Sequence, residues 1–202
     1  MLDYNFERSL WRSGKRLVAG VDEAGRGPLA GPVVAAAVIF PEEVWIKGVD
    51  DSKKLSPDKR EQLFELILQA ALSVTHAVIP HAVIDLVNIY QATMRAMAEA
   101  VGRLDPPPAH LLIDGPRYHQ NSIPHTAIVD GDAKCFSIAA ASIVAKVTRD
   151  QLMVEFDKQY PHYGFARHKG YATPEHLAAL RRHGPCEIHR RSFRMPGMNG
   201  GQ

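Results

Sequence analysis

The chain predicts an α/β fold in a single domain. Five short runs rich in Val, Ile, Leu and Ala are each bounded by turn residues, as buried strands are. Between and after them lie longer stretches whose apolar residues recur at helical spacing. No long polar linker divides the 202 residues, a length a little above the ~100 to 200 usual for one domain.

Leu17 to Asp22 reads as the first strand and Val33 to Phe40 as the second. The loop between them places Gly25, Gly27 and Gly31 after a strand, superficially like a dinucleotide fingerprint. That motif must open a helix, whereas Pro32 leads into another strand, which argues against a nucleotide cofactor. Ser56 can cap a helix with Pro57 at its first position, and Leu63, Phe64, Ile67, Leu68 and Ala71 share one face of it. Ser73 to Ile79 is the third strand. Ile89 to Leu104 is a helix with Met94, Met97, Val101 and Leu104 on one stripe, ended by Pro106-Pro107-Pro108. His110 to Asp114 is the fourth strand, broken by Gly115-Pro116, and Ile123 to Val129 the fifth, closed by Asp130-Gly131-Asp132. A long helix runs from about Phe136 to Tyr160, and its small, apolar first half suits tight packing on a sheet. A final helix starts at Thr173-Pro174-Glu175 and stops at Gly184. The expected organisation is a core over about 17–160, a helical substrate-binding segment over about 161–194 and a flexible tail, 195–202.

Composition narrows the classes. With 46% hydrophobic and 23% charged residues the chain is an ordinary globular protein. A formal net charge of +2 makes it no polycation, so contact with nucleic acid must come from local groups of Lys and Arg, which Lys146 through Arg194 supply. Cys135 and Cys186 lie far apart, and no signal sequence or long apolar run precedes them, which reads as a reduced cytoplasmic protein with no membrane segment. His162, His168, His176, His183 and His189 lack the short paired spacings of zinc sites.

The chemistry concentrates in Val18-Ala19-Gly20-Val21-Asp22-Glu23-Ala24-Gly25-Arg26-Gly27-Pro28, an apolar strand running into two carboxylates and a glycine-arginine-glycine turn. Asp22 and Glu23 leave opposite sides of the strand, and Gly25 and Gly27 lack the Cβ that would keep a ligand from their peptide groups. Two more strands end in acid, at Asp114 and at Asp132 with nearby Asp130. Any one of these could simply terminate a strand in a solvated turn. Together, crowded carboxylates make sense chiefly when divalent cations neutralise them, and hard oxygen ligands favour Mg²⁺ or Mn²⁺.

Six segments together resemble bacterial ribonuclease HII. They are Val21 to Pro28, Asp51-Ser52-Lys53-Lys54-Leu55-Ser56, Ile113-Asp114-Gly115, Gly131-Asp132-Ala133-Lys134 with Ala140 to Asp150, and His168-Lys169-Gly170-Tyr171. They follow the family's order over nearly the whole chain. The resemblance implies a ribonuclease H-like fold, a five-stranded mixed sheet flanked by helices, with Asp22, Glu23, Asp114 and Asp132 holding two metal ions. It implies hydrolysis of the RNA strand of RNA/DNA hybrids and cleavage 5′ of single ribonucleotides embedded in duplex DNA, leaving 3′-hydroxyl and 5′-phosphate ends. It also implies that Gly25-Arg26-Gly27 reads the ribose 2′-hydroxyl and that Tyr171 stacks on the following deoxyribose, where an unaided reading gives a half-buried core tyrosine. Asp130 departs from the family pattern and competes with Asp132 as fourth ligand, although the spacing to Ala133-Lys134 favours Asp132.

Ser52, Lys53, Lys146, Arg149 and Lys169 are candidate phosphate contacts. The expected partners are RNA/DNA hybrid and ribonucleotide-containing duplex, bound by a monomer. A ribonuclease HIII-type enzyme is the nearest alternative, disfavoured by the roughly sixteen residues ahead of the first strand, where that type carries a further domain. A non-catalytic nucleic-acid-binding module is the other, and it has no use for an acid cluster that repels phosphate.

Overall fold

The computed structural model describes residues 2–115, 118 and 122–195. Strand β1 (Val18–Ala24) pairs antiparallel with β2 (Val33–Ile39), which pairs antiparallel with β3 (Ser73–Ile79). On its other side β1 runs parallel to β4 (His110–Asp114), and β4 runs parallel to β5 (His125–Ile128). The result is a five-stranded mixed sheet in the order β3-β2-β1-β4-β5. Because β1, β4 and β5 are parallel, their C-terminal ends lie at one edge, and that is where their acids meet. β1 continues past the expected end at Asp22, since its ladder with β2 extends to Glu23 opposite Ala35 and Ala24 opposite Val34. The first two carboxylates therefore sit on a hydrogen-bonded strand and not in a turn.

Helix α1 (Asn5–Arg12) lies outside the elements expected from the sequence; it is only eight residues long, and its short stripe of Phe6, Leu10 and Trp11 packs against Val18, Leu112 and Ile138. Helix α2 (Pro57–Ala70) is capped as expected, Lys59 N–H donating to Ser56 Oγ at 3.3 Å. It buries Leu63 and Ile67, whereas Leu68, expected on the same face, turns to solvent at the stripe's edge. Helix α3 (His81–Gly102) begins at His81 rather than Ile89 and breaks at Asn88, whose φ is 67°. Asn88 Oδ1 accepts from Gln91 N–H at 3.1 Å, so this residue caps a second segment starting where the periodicity had placed the helix. Helix α4 (Phe136–Gln159) follows a single 3₁₀ turn at Gly131–Ala133, and the short α5 (Phe165–His168) and α6 (Pro174–His183) complete the regular structure among the described residues.

Met94, Met97 and Val101 of α3 pack with Val21, Ala37 and Ile113 on one face of the sheet. On the other, Leu63 and Ile67 of α2 and Ala140 and Ile143 of α4 meet Ala36 and Val38. A Cβ at Gly20 would stand 2.1 Å from the Ser137 carbonyl carbon, so glycine there lets the first turn of α4 lie directly on β1. That turn lacks a side-chain cap of its own. Buried Glu7 of α1 supplies one from a distance: its Oε1 accepts from Ser137 N–H at 2.9 Å, Ser137 Oγ at 2.8 Å and Cys135 Sγ at 3.1 Å. A carboxylate there also complements the helix dipole. A third core cluster joins Leu29 and Ala30 to Met153, Tyr163, Phe165, Leu180 and Ile188, which ties the C-terminal helices to the loop after β1. The expected tail lies outside the described residues beyond Met195, as does Pro116 of the expected turn. Among the described residues no helix is long and apolar enough to cross a membrane.

Candidate active site

Parallel register decides how the acids meet. Val21 lies opposite Ile113, which places Asp22 beside Asp114 one residue further on. With Val18, Gly20 and Leu112, both belong by alternation to the face that α4 covers. Asp132 arrives from the 3₁₀ turn just ahead of α4 and is buried. Asp114 Oδ1 accepts from Gly131 N–H at 2.7 Å, fixing that turn to the end of β4. Asp130 adopts a left-handed conformation and is 76% exposed, leaning on Lys134 at 3.9 Å. It therefore points away from the cluster that Asp132 joins.

The electrostatics are those of an only partly compensated site. Burial, then the charges of Glu23, Asp114 and Asp132, push the Asp22 carboxyl well above its ordinary range. Burial also raises Glu23, against the opposing pull of Arg26, whose Nη1 lies 3.2 Å from Glu23 Oε1. Asp114 is raised by burial as well, with the Gly131 N–H opposing. One lysine enters the cluster: Lys53 Nζ donates to Asp132 Oδ2 at 2.8 Å. Burial alone would lower its ammonium, but Asp132, Asp51 and Asp22 hold it above the ordinary value. Among the described residues no three such side chains already form a metal cage. The donor set nevertheless fits hard divalent cations. It offers only carboxylate oxygens, and their repulsion is relieved by a multivalent positive charge.

Asp22, Glu23 and Asp114 line a cleft of about 200 Å³ together with Gly25, Arg26, Gly27, Ser52, Lys53, Lys146 and Tyr171, and Asp132 meets it through Lys53. Most of the expected site residues thus share one wall. Gly25 has φ +99°, and a Cβ on it would stand 2.1 Å from Arg149 Nε, so packing beneath the loop already demands glycine there. Gly27 differs. Its missing Cβ faces the open side, 3.6 Å from Tyr171 Cε1. Tyr171 is 44% exposed, which replaces the core tyrosine of an unaided reading with a ring presented at the cleft.

The basic residues separate into different roles. Lys146 lines the cleft while paired with Asp150 at 2.8 Å. Lys146, Lys169 and Tyr171 also border a larger neighbouring groove of about 480 Å³. Lys169 Nζ donates to the Ala166 carbonyl. Ser52 is buried, and its Oγ accepts from Ser142 Oγ at 2.6 Å. Arg149 departs from expectation. Its guanidinium is buried, spends its donors on the carbonyls of Pro32, Ala30 and Lys169, and is closed to phosphate. Only packing could reveal this, because a buried and an exposed helical arginine look alike in sequence.

Comparison with known proteins decides the family. The family model described as "Ribonuclease HII" matches residues 19–195. The chain belongs to the ribonuclease HII family. A ribonuclease HII of Geobacter metallireducens is 60% identical over 195 residues, covering 93% of this chain and 92% of the relative. Among solved structures, the ribonuclease H2 of Pyrococcus horikoshii superposes with a TM-score of 0.76 at 27% identity, over 88% of this chain and 94% of that one. The ribonuclease HII of Archaeoglobus fulgidus, solved as a PCNA complex, gives 0.75 at 28% identity, over 87% and 92%. The mixed sheet and its helices are therefore the ribonuclease H-like fold, and the enzyme is a metal-dependent endoribonuclease.

Two parts of this ribonuclease HII framework escaped sequence reasoning. One is Arg190, buried on the loop after β1. The other is a histidine array under Tyr171. Cys186 N–H donates to His189 Nδ1 at 2.9 Å, leaving His189 Nε2–H to donate to His176 Nε2 at 3.0 Å. His176 Nδ1–H then donates to the Tyr171 carbonyl at 2.9 Å. Gly170 N–H similarly donates to His168 Nδ1, whose Nε2–H reaches the Tyr163 carbonyl at 2.7 Å. Burial lowers His176, and burial with the neighbouring His176 lowers His189 to about 4. The His176 and His189 rings stay neutral, all three histidines brace the Tyr171 turn, and zinc is not needed to explain their proximity.

Proposed function

We propose that this enzyme hydrolyses the RNA strand of RNA/DNA hybrids and cuts duplex DNA 5′ of a single embedded ribonucleotide, releasing 3′-hydroxyl and 5′-phosphate ends. The observation that carries the reading is one cleft holding an only partly compensated carboxylate cluster, a glycine-arginine-glycine turn and an exposed tyrosine. Asp22, Glu23, Asp114 and Asp132 would hold two Mg²⁺ or Mn²⁺ ions. Bound there, such ions supply charge neutralisation, activation of water for in-line attack on phosphorus and stabilisation of the leaving oxygen.

The chain's own groups do the rest. Peptide groups of Gly25-Arg26-Gly27 meet the 2′-hydroxyl, the atom that separates RNA from DNA. Tyr171 offers its ring to the next sugar. Lys53 lies against Asp132, where it is placed to exchange a carboxylate for a phosphate oxygen, and Lys146 and Lys169 border the path of the backbone.

The test is digestion of an end-labelled DNA duplex with one ribonucleotide. In Mg²⁺ or Mn²⁺ the cut maps to the 5′ side of the ribonucleotide, an all-DNA duplex survives, and excess EDTA stops the reaction. Cleavage of the all-DNA control, or full activity in EDTA, would sink the proposal.

A further inference from the structure

Two buried arginines lie beneath the glycine turn with no ion-pair partner among the described residues, an expensive arrangement that backbone carbonyls relieve, with the Phe193 ring 5.0 Å from Arg190 Cζ adding a cation–π contact. Arg190 donates from Nη2 to the carbonyls of Gly25 at 2.6 Å and Pro32 at 3.1 Å, from Nη1 to that of Arg26 at 3.0 Å, and from Nε to that of Gly31 at 3.0 Å. Arg149 donates from Nε to Pro32 at 3.0 Å, from Nη2 to Ala30 at 3.1 Å, and from Nη1 to the Lys169 carbonyl at 3.0 Å, on the turn that carries Tyr171. In a trans peptide the C=O of one residue and the N–H of the next point in opposite directions. Tying the Gly25 and Arg26 carbonyls inward therefore turns the N–H groups of Arg26 and Gly27 outward, towards the cleft. Arg149 spans the loop and the Tyr171 turn, which Leu29 N–H also joins through the Gly170 carbonyl at 2.8 Å.

We propose that Arg190 and Arg149 are positioning residues for substrate choice. Arg190 presents the Arg26 and Gly27 amides to the ribonucleotide, and Arg149 sets their distance from Tyr171. The proposal rests on the reading that this loop and Tyr171 recognise a single ribonucleotide and its 3′ neighbour. It has a distinctive consequence. An isolated ribonucleotide can be recognised in one register only, whereas a run of ribonucleotides offers a 2′-hydroxyl in every register. Loosening the spacing must therefore harm the first substrate more than the second.

Lysine keeps the charge but loses the fork that reaches several carbonyls at once, so Arg149→Lys and Arg190→Lys separate positioning from electrostatics. Each is assayed with wild type on a duplex with one ribonucleotide and on a continuous hybrid, at a temperature below the lowest melting midpoint of the set. The expected result is a fall of about tenfold in the single-ribonucleotide rate relative to the hybrid rate. In the Arg149→Lys background, Tyr171→Ala should then change that ratio less than it does in wild type. Gly170→Ala provides an independent wedge, because its Cβ would stand 2.7 Å from the Ala30 carbonyl oxygen and force the same two segments apart. It should shift the ratio the same way, and it decides the matter if either lysine variant does not fold. Equal losses on both substrates, or additive effects with Tyr171→Ala, would overturn the proposal and leave a purely structural role. A wild-type enzyme that ignores the single ribonucleotide would instead overturn the underlying reading, before any variant is made.

Discussion

The two charged regions on either side of the glycine turn solve opposite problems. At the C-terminal edge of the sheet, Asp22, Glu23 and Asp114 are crowded so that each is harder to ionise, with Lys53 and Arg26 as partial relief. Beneath the turn, Arg149, Arg190, His176 and His189 are equally removed from water, yet their ring and guanidinium donors meet named acceptors. A buried polar group that is fully hydrogen-bonded stiffens a structure, and one left uncompensated waits for a ligand. On the proposed reading, the first region would be completed by cations and substrate, and the second would hold the reader of that substrate still.

The contrast can be broken most severely at the acids. Asp22→Asn, Glu23→Gln, Asp114→Asn and Asp132→Asn should each cut turnover by about a thousandfold or more. In EDTA, Asp22→Asn should melt no lower than wild type, because it removes a buried like charge. His176→Ala should do the reverse, costing about 2 to 4 kcal/mol of stability through a cavity and orphaned hydrogen bonds. Denaturant melts with parallel rate measurements read both effects. A destabilised Asp22→Asn would erase the distinction between the regions.

Divalent ions sharpen it next. Saturating Mg²⁺ or Mn²⁺ at a hundred times Kd adds about 2.7 kcal/mol to the native state, a rise of roughly 5 to 10 °C for a chain of this size. Asp22→Asn should lose most of that rise in a thermal scan, and His176→Ala should keep it.

Acidification acts with opposite signs on the two regions. The histidines are depressed in the folded state, so the unfolded chain binds more protons below about pH 6.5. Their stabilisation is complete above that pH and is lost progressively as pH falls towards about 4, the value for His189. The loss from His189 is at most about 3 kcal/mol. The raised carboxylates bind protons more readily when folded, so acidification relieves them and offsets part of the loss. In EDTA, Asp22→Asn should consequently lose stability more steeply between pH 6.5 and 4 than wild type. An identical slope would assign the acid response elsewhere.

The smallest effect belongs to Asp130→Asn. Its exposed side chain lies outside the cluster, and the rate should stay within about twofold of wild type. A large loss would exchange the roles of Asp130 and Asp132.

Local signals on the chain specified a good deal of this protein without help. Alternating punctuation marked all five strands, and Ser73–Ile79 and His110–Asp114 fall where composition placed them. Ser56 and Thr173 announce their helices because capping is a contact within three residues. The acids were readable because carboxylates at the ends of apolar runs are conspicuous against their neighbours. What escaped was non-local. Glu7 caps a helix 130 residues away, Asn88 splits α3 from inside an apolar stretch, and Arg149 and Arg190 were indistinguishable from surface cations. A residue's type records what it can bond, and its spacing records which face it takes. Whether a guanidinium meets water, phosphate or the carbonyls of a loop more than a hundred residues distant depends on which segments the closed sheet brings together. The parallel pairing of β1, β4 and β5 decided that the acids share an edge, and packing beneath the turn decided that Arg26 lines the cleft while Arg149 and Arg190 are buried against loop carbonyls.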